Sequence, residues 1–209
     1  MRAFPSPLIL VVALVGALVA AGPGVAFAGA SGLVEAGVGV AVPVADSTYR
    51  DDVEVSPSLW FAGVYLPPLD NRFLGVELGV EYTPYRSDYL APNGVPADWS
   101  RLRAELGARY LMDLAPDLTG FAHVLGGVDM VTWVQHGHVG TAPYNDDDTH
   151  VGLALELGAG VLYKLGPVSV GAQLAVPVGI HHEVVTDGGI EVNRDSFDLE
   201  LRLTVGNSY

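Results

Sequence analysis

Apolar residues fall on every second position through eight stretches of the chain. The last stretch is the clearest: Phe197, Leu199, Leu201, Leu203, Val205 and Tyr209 share one parity, while Asp198, Glu200, Arg202, Thr204, Gly206 and Ser208 share the other. A period of two describes a β-strand with two unlike faces. The stretches cover 32–44, 53–66, 73–84, 99–112, 118–135, 150–164, 167–180 and 196–209. Each exceeds the roughly 9 to 11 residues that a tilted strand needs to cross a bilayer. Together they predict an all-β chain folded as an eight-stranded antiparallel up-and-down transmembrane β-barrel. Tyr65, Tyr110, Tyr163 and Tyr209 close alternate stretches on their apolar side, where an aromatic ring with a polar tip suits the boundary between hydrocarbon and headgroups.

The outward-facing sets are read from parity. They include Val38, Val40 and Val42, then Val76, Leu78 and Val80, then Leu102, Leu106 and Tyr110, then Leu153, Leu155 and Leu157, and Leu174, Val176 and Val178. In the second stretch Val55, Leu59, Phe61 and Tyr65 are placed outward, which turns Trp60 inward. In the fifth, Val124, Val128 and Met130 outward leave Leu125, Asp129 and Trp133 inside, and that mixture invites a bulge or register shift.

Connection lengths set the orientation. Pro67 to Arg72, Asp113 to Asp117 and Gly166 with its neighbours are short and hold Pro or Gly, as periplasmic turns do. Ala45 to Asp52, Tyr85 to Asp98, His136 to Thr149 and His181 to Asp195 are longer, as extracellular loops are. Tyr82, Tyr85, Trp99, Trp133 and Phe197 then fall near the outer rim, where a second girdle belongs.

Export is expected from the first residues. MRAFPSP precedes fourteen apolar or Gly residues, Leu8 to Ala21, then Gly-Pro-Gly and Ala26-Phe27-Ala28. This is the form of a secretory signal peptide, too short for the ~20 residues of a membrane helix. The domain reading is a signal peptide at 1–28, with Ala30 as the rival cleavage point, and a barrel domain at 29–209. Only Arg2 is charged in the signal segment, so a chain of net charge −14 becomes −15 on its removal. That charge excludes nucleic acid as a partner class. Lys164 is the one lysine and cysteine is absent, so the face opposite the apolar one lacks the lysine cover of a water-soluble barrel.

The alternating final strand with a terminal aromatic resembles the outer-membrane β-barrel proteins of Gram-negative bacteria, and the plan is similar to the OmpA transmembrane domain and OmpX. The resemblance implies location in the cell outer membrane, contact with membrane lipid and lipopolysaccharide, a monomer, and recognition of the last strand by the barrel-assembly machinery. No periplasmic domain follows the last strand, so envelope tethering by that route is not implied.

The inward parity carries Glu35, Glu54, Glu77, Glu81, Glu105, Asp129, Glu156 and Glu200 against Arg101, Arg103, Arg109, Lys164 and Arg202. Unpaired charge in a confined interior is costly, so a cross-braced lumen is expected, with Arg101 opposite Asp129. Eight strands leave an interior just wide enough for side chains, which argues against a general porin. Inward glycines such as Gly37, Gly107, Gly158 and Gly171 either admit long side chains or leave a wet cavity.

His136, His138, His150, His181 and His182 gather near the outer rim beside Asp146, Asp147 and Asp148. Such a set can hold zinc, but no ligand spacing is imposed, and the histidines are read as boundary residues. Ser87, Ser100 and Ser196 offer rim hydroxyls without a flanking motif. No catalytic, cofactor or metal residues are assigned. The expected function is a non-enzymatic barrel with a structural, adhesion or surface-binding role. The alternatives are a rim-located lipid A hydrolase or acyltransferase and, third, a soluble exported barrel that binds an apolar ligand.

Overall fold

The computed structural model describes residues 31–44, 55–67, 73–85, 97–139, 142–181, 185–187, 190–192 and 195–208. The expected signal segment at 1–28, Glu54, Ser87, His182 and Tyr209 lie outside them. Eight strands close into one barrel: β1 (Ser31–Pro43), β2 (Ser56–Leu66), β3 (Leu74–Tyr85), β4 (Ala97–Ala115), β5 (Leu118–Val139), β6 (Ala142–Leu165), β7 (Val168–Ile180) and β10 (Ser196–Ser208). Every neighbouring pair is antiparallel, and β1 pairs with β10 to complete the ring. Closure removes all edges from the barrel wall. Two short strands, β8 (Val185–Asp187) and β9 (Ile190–Val192), form a separate ribbon between β7 and β10. The alternation of apolar residues gives no sign of this pair within the last long connection.

Parity is obeyed along the strands, with Lys164 near the end of β6 the departure. Val38, Leu78, Leu106, Val124, Leu155 and Leu203 are exposed on the outer wall, and Trp60, Leu125 and Asp129 are buried inside as expected. β5 needs no irregularity to achieve this, because its pairing with β6 is continuous from Leu118 to Val139. The register shift lies in β4 instead, between Asp113 and Ala115.

The connection there is tighter than the five residues expected. β4 runs on to Ala115 and the chain reverses over Pro116–Asp117. That moves the β4–β5 register by two residues, so Asp129 sits opposite Arg103, and Arg101 faces Val131. A two-residue slip preserves the side-chain faces. The β6–β7 connection is the two-residue Gly166–Pro167, with Gly166 at φ 67°, a left-handed conformation that glycine adopts without steric cost.

At the opposite, loop end, β5 and β6 outrun their neighbours. β4 begins opposite Gln135 and β7 ends opposite Leu153, yet β5 and β6 stay paired to Val139 and Ala142. The hairpin therefore stands above the rim as a ribbon.

Candidate functional site

The enclosed lumen concentrates the unusual chemistry of this chain. It is layered. At the short-turn end, Leu33, Val64, Phe121 and Leu162 pack into an apolar plug, with Leu66 and Leu111 against it. At the loop end, Ala41, Tyr85, Trp99, Val131 and Trp133 form a second plug, with the two indole rings 6.3 Å apart. This corrects the expectation that Tyr85 and Trp99 belong to an outward girdle, while Trp133 is inside as the parity of its strand predicts. Their strands alternate without interruption at those positions, and each shares the parity of inward charges: Tyr85 with Glu81, Trp99 with Arg101, Trp133 with Asp129. Of the rim aromatics, Phe197 is exposed on the outer wall. At the other end Tyr65, Tyr110 and Tyr163 are exposed as expected, and Tyr110 packs on Phe73 at 6.3 Å.

Between the plugs lies a network of charges. Arg109 on β4 donates from Nε and Nη2 to both Glu77 oxygens on β3 at 2.8 and 2.7 Å, and from Nη1 to Glu35 on β1 at 2.6 Å. Glu77 also meets His123 Nδ1 at 3.1 Å, and His123 Nε2 lies 3.2 Å from Glu156 on β6. Glu156 takes two hydrogen bonds of 2.7 Å from Arg202 on β10, which also donates to Glu200 at 2.8 Å and to Glu81. Nearer the loop end, Arg101 Nη1 is 2.5 Å from Asp198, whose same oxygen accepts from Tyr85 at 2.9 Å. Arg103 is held more loosely, 3.5 Å from Asp129 and 3.9 Å from Glu81. Bidentate, charge-assisted bonds of the kind made by Arg109 and Arg202 are strong and fix geometry.

Aromatic faces complete the arginine environments. The Arg109 guanidinium lies 4.3 Å from the centre of Phe121 and 5.8 Å from that of Trp60, and the Arg202 guanidinium lies 5.5 Å from Trp60. Such contacts add about 0.5–2 kcal/mol where water is excluded.

The glycines make room for these side chains. A Cβ on Gly158 would overlap the His123 ring, and one on Gly179 would overlap the Asp129 carboxylate. A Cβ on Gly107 would overlap the backbone carbonyl of Val124, so glycine there also permits close approach of β4 and β5.

Seven of the eight expected inward acids and four of the five expected cations are buried inside; Glu54 is the acid outside the described residues. Lys164 is the correction. It has inward parity but lies past Leu162 of the apolar plug, at the short-turn end of β6, and is exposed. Asp198 and His123 are lumenal groups that the sequence reading does not single out, although both share parity with residues placed inside.

Among the described residues, His138 and His150 do not converge. His138 lies opposite Pro143 and His150 opposite Val131, seven rungs apart on the β5–β6 ribbon. At about 3.4 Å per residue this is roughly 24 Å, too far for one ion. His181 turns inward, with Nε2 3.7 Å from Asp129, while its backbone N–H donates to Asp195 at 2.8 Å and so clasps the two ends of the last loop. Ser196 is buried, and its Oγ accepts from Arg101 at 3.0 Å, facing the lumen and not a lipid. Ser100 is half-buried on the outward parity of β4.

Comparison with solved structures places this architecture. The crystal structure of a major outer membrane protein from Thermus thermophilus aligns with a TM-score of 0.60 and 15% identity over 86% of this chain and 99% of that one. The fold is that of the small eight-stranded outer-membrane β-barrels. The attachment invasion locus protein Ail of Yersinia pestis, crystallised in complex with the heparin analogue sucrose octasulfate, aligns with a TM-score of 0.55 and 13% identity over 86% of this chain and 99% of that one. No protein-family model matches the sequence, and no curated protein does.

Proposed function

We propose that the protein is a non-enzymatic integral barrel of the outer membrane with a structural, adhesion or surface-binding role. On this reading residues 1–28 are an export signal, 29–209 are the barrel, the short turns face the periplasm and the outer wall contacts lipid. The barrel-assembly machinery inserts the chain, which works as a monomer. The observation that carries the proposal is the lumen. Charged side chains fill it and apolar clusters close it at both ends, leaving the outer rim as the surface available for function.

That rim differs from a polyanion-binding one. Segments 45–55, 86–98, 140–149 and 182–195 hold thirteen carboxylates, three arginines and no lysine. Ail was crystallised with a sulfated sugar; this chain's loops would repel one. Contact with lipopolysaccharide phosphates would run through bridging divalent ions, and a protein partner would be cationic.

Membrane fractionation tests the proposal. The protein should sediment with outer membranes and migrate faster on gels before boiling than after it. Recovery in the soluble periplasmic fraction would overturn it, and loss or gain of acyl chains on lipid A in strains carrying the protein would favour the enzyme reading.

A further inference from the structure

The apolar plug at the loop end is one-sided. Its members come from β1, β3, β4 and β5, and among the described residues none comes from β6, β7 or β10. On that other side the inward positions near the rim are small: Gly152 on β6, Gly179 on β7 and Ser196 on β10. His181, the residue that follows β7, fills the gap. Its ring lies in the notch left by Gly152, where a Cβ would stand 2.6 Å from the ring Cδ2 and 2.9 Å from Cγ. The half-buried His150 is the next inward position of β6 toward the loops.

Packing holds this ring, and hydrogen bonds do not. His181 is 7% exposed, yet neither ring nitrogen has a hydrogen-bond partner, and Asp129 Oδ2 stands 3.7 Å from Nε2. The layer beneath shares the looseness. Asp129, opposite Gly152 in the register, and Arg103 are both fully buried. Both Asp129 oxygens and all three Arg103 nitrogens lack hydrogen bonds, and the two groups approach only to 3.5 Å. Toward the short turns the contrast is sharp, for Arg109 and Arg202 hold Glu35, Glu77, Glu156 and Glu200 through bonds of 2.6 to 2.8 Å. Buried polar groups without partners are costly. Water entering from the loop end would relieve that cost around Arg103 and Asp129, and would gain far less around the saturated arginines below.

We propose that His181 is a stopper for the loop-end half of the lumen. When its ring leaves the Gly152 notch, water reaches Asp129 and Arg103 while the layer of Arg109 and Arg202 stays dry. The opening is local, confined to the part of the interior with the fewest bonds to lose. His181 also clasps the far end of the last connection, since its backbone N–H donates to Asp195. A pull on that connection from outside the cell is therefore passed to the ring, and the outer rim is linked to the interior.

The test exploits a chain without cysteine, in which one introduced thiol reports its own accessibility. Ala154 on β6 is 1% exposed, lies opposite Gly179 and one inward step below Gly152. Ala62 on β2 is 5% exposed and lies opposite Glu35, in the Arg109 layer. Each is replaced by cysteine, the whole barrel is refolded in detergent micelles, and labelling by a charged methanethiosulfonate is followed by mass. Ala154→Cys should label slowly and Ala62→Cys more slowly still. Adding His181→Ala should speed labelling of Ala154→Cys by about tenfold or more, because a packed side chain that closes the gap is removed, and should leave Ala62→Cys unchanged. His181→Phe refills the notch and should keep labelling of Ala154→Cys slow. An unchanged rate at Ala154→Cys in the His181→Ala background would overturn the proposal, as would equal acceleration at both positions, which marks opening of the whole barrel. If His181→Ala does not fold, the two cysteines in the parent background carry the test, and labelling of Ala62→Cys as fast as Ala154→Cys would overturn it.

Discussion

Arg202 on β10 grips Glu156 on β6 with two hydrogen bonds of 2.7 Å, reaching across the intervening β7. The same guanidinium holds Glu200 and Glu81, so one side chain ties three strands. Replacing it with alanine leaves three buried carboxylates without their shared cation. Arg202→Ala should destabilise the barrel by about 3–5 kcal/mol, read from urea unfolding in micelles. Adding Glu156→Gln should recover part of the loss, whereas strict additivity would show that the two residues are not coupled.

Glycines in the wall should differ sharply in their tolerance. A Cβ on Gly158 overlaps the His123 ring, while one on Gly63 meets nothing within 4 Å. Gly158→Ala should cost about 1–3 kcal/mol through overpacking, and Gly63→Ala should be neutral or slightly stabilising. Equal effects of the two in thermal unfolding would contradict the packing described around His123.

The closed lumen makes an electrical prediction. In planar bilayers the protein should show no steady porin-sized conductance. Trp133→Ala should not create one, because the charged layer and the short-turn plug remain beneath the indole. Large stable channels in the parent would refute the filled interior.

Much of this is legible in the sequence because a barrel strand has only two faces. The parity that puts Arg101 and Arg103 inside also dictates the inward turn of Trp99, and the parity of Glu200 and Arg202 dictates that of Asp198. Residue type obscures the signal for the aromatics, since tryptophan and tyrosine near a rim suggest an interface. Register is not legible. It depends on where a turn closes, and the reversal at Pro116–Asp117 together with the shift near Asp113 moves Asp129 from Arg101 to Arg103 without altering any face. Strand length is hidden for a similar reason. The β5–β6 ribbon above Gln135 is held by backbone hydrogen bonds, which need no alternation of apolar residues.

For the histidines, the ribbon register predicts weak metal binding at most. Zinc titration by calorimetry should reveal no rim site tighter than about micromolar, and His138→Ala should leave the isotherm unchanged. A stoichiometric nanomolar site lost in that variant would show that loop residues outside the described strands bring the imidazoles together.

The charged core also acts mechanically. Arg101, Arg109 and Arg202 work as spokes from wall to wall, and a ring with rigid spokes resists being squeezed into an ellipse. The strand ends at Pro43, Tyr85 and Ile180, from which outer loops depart, and the foot of the β5–β6 ribbon at Gln135 are therefore kept at set spacings around the rim. A partner engaging two or more loops would meet anchor points already in position, and the ordering entropy of docking would be confined to the loops themselves.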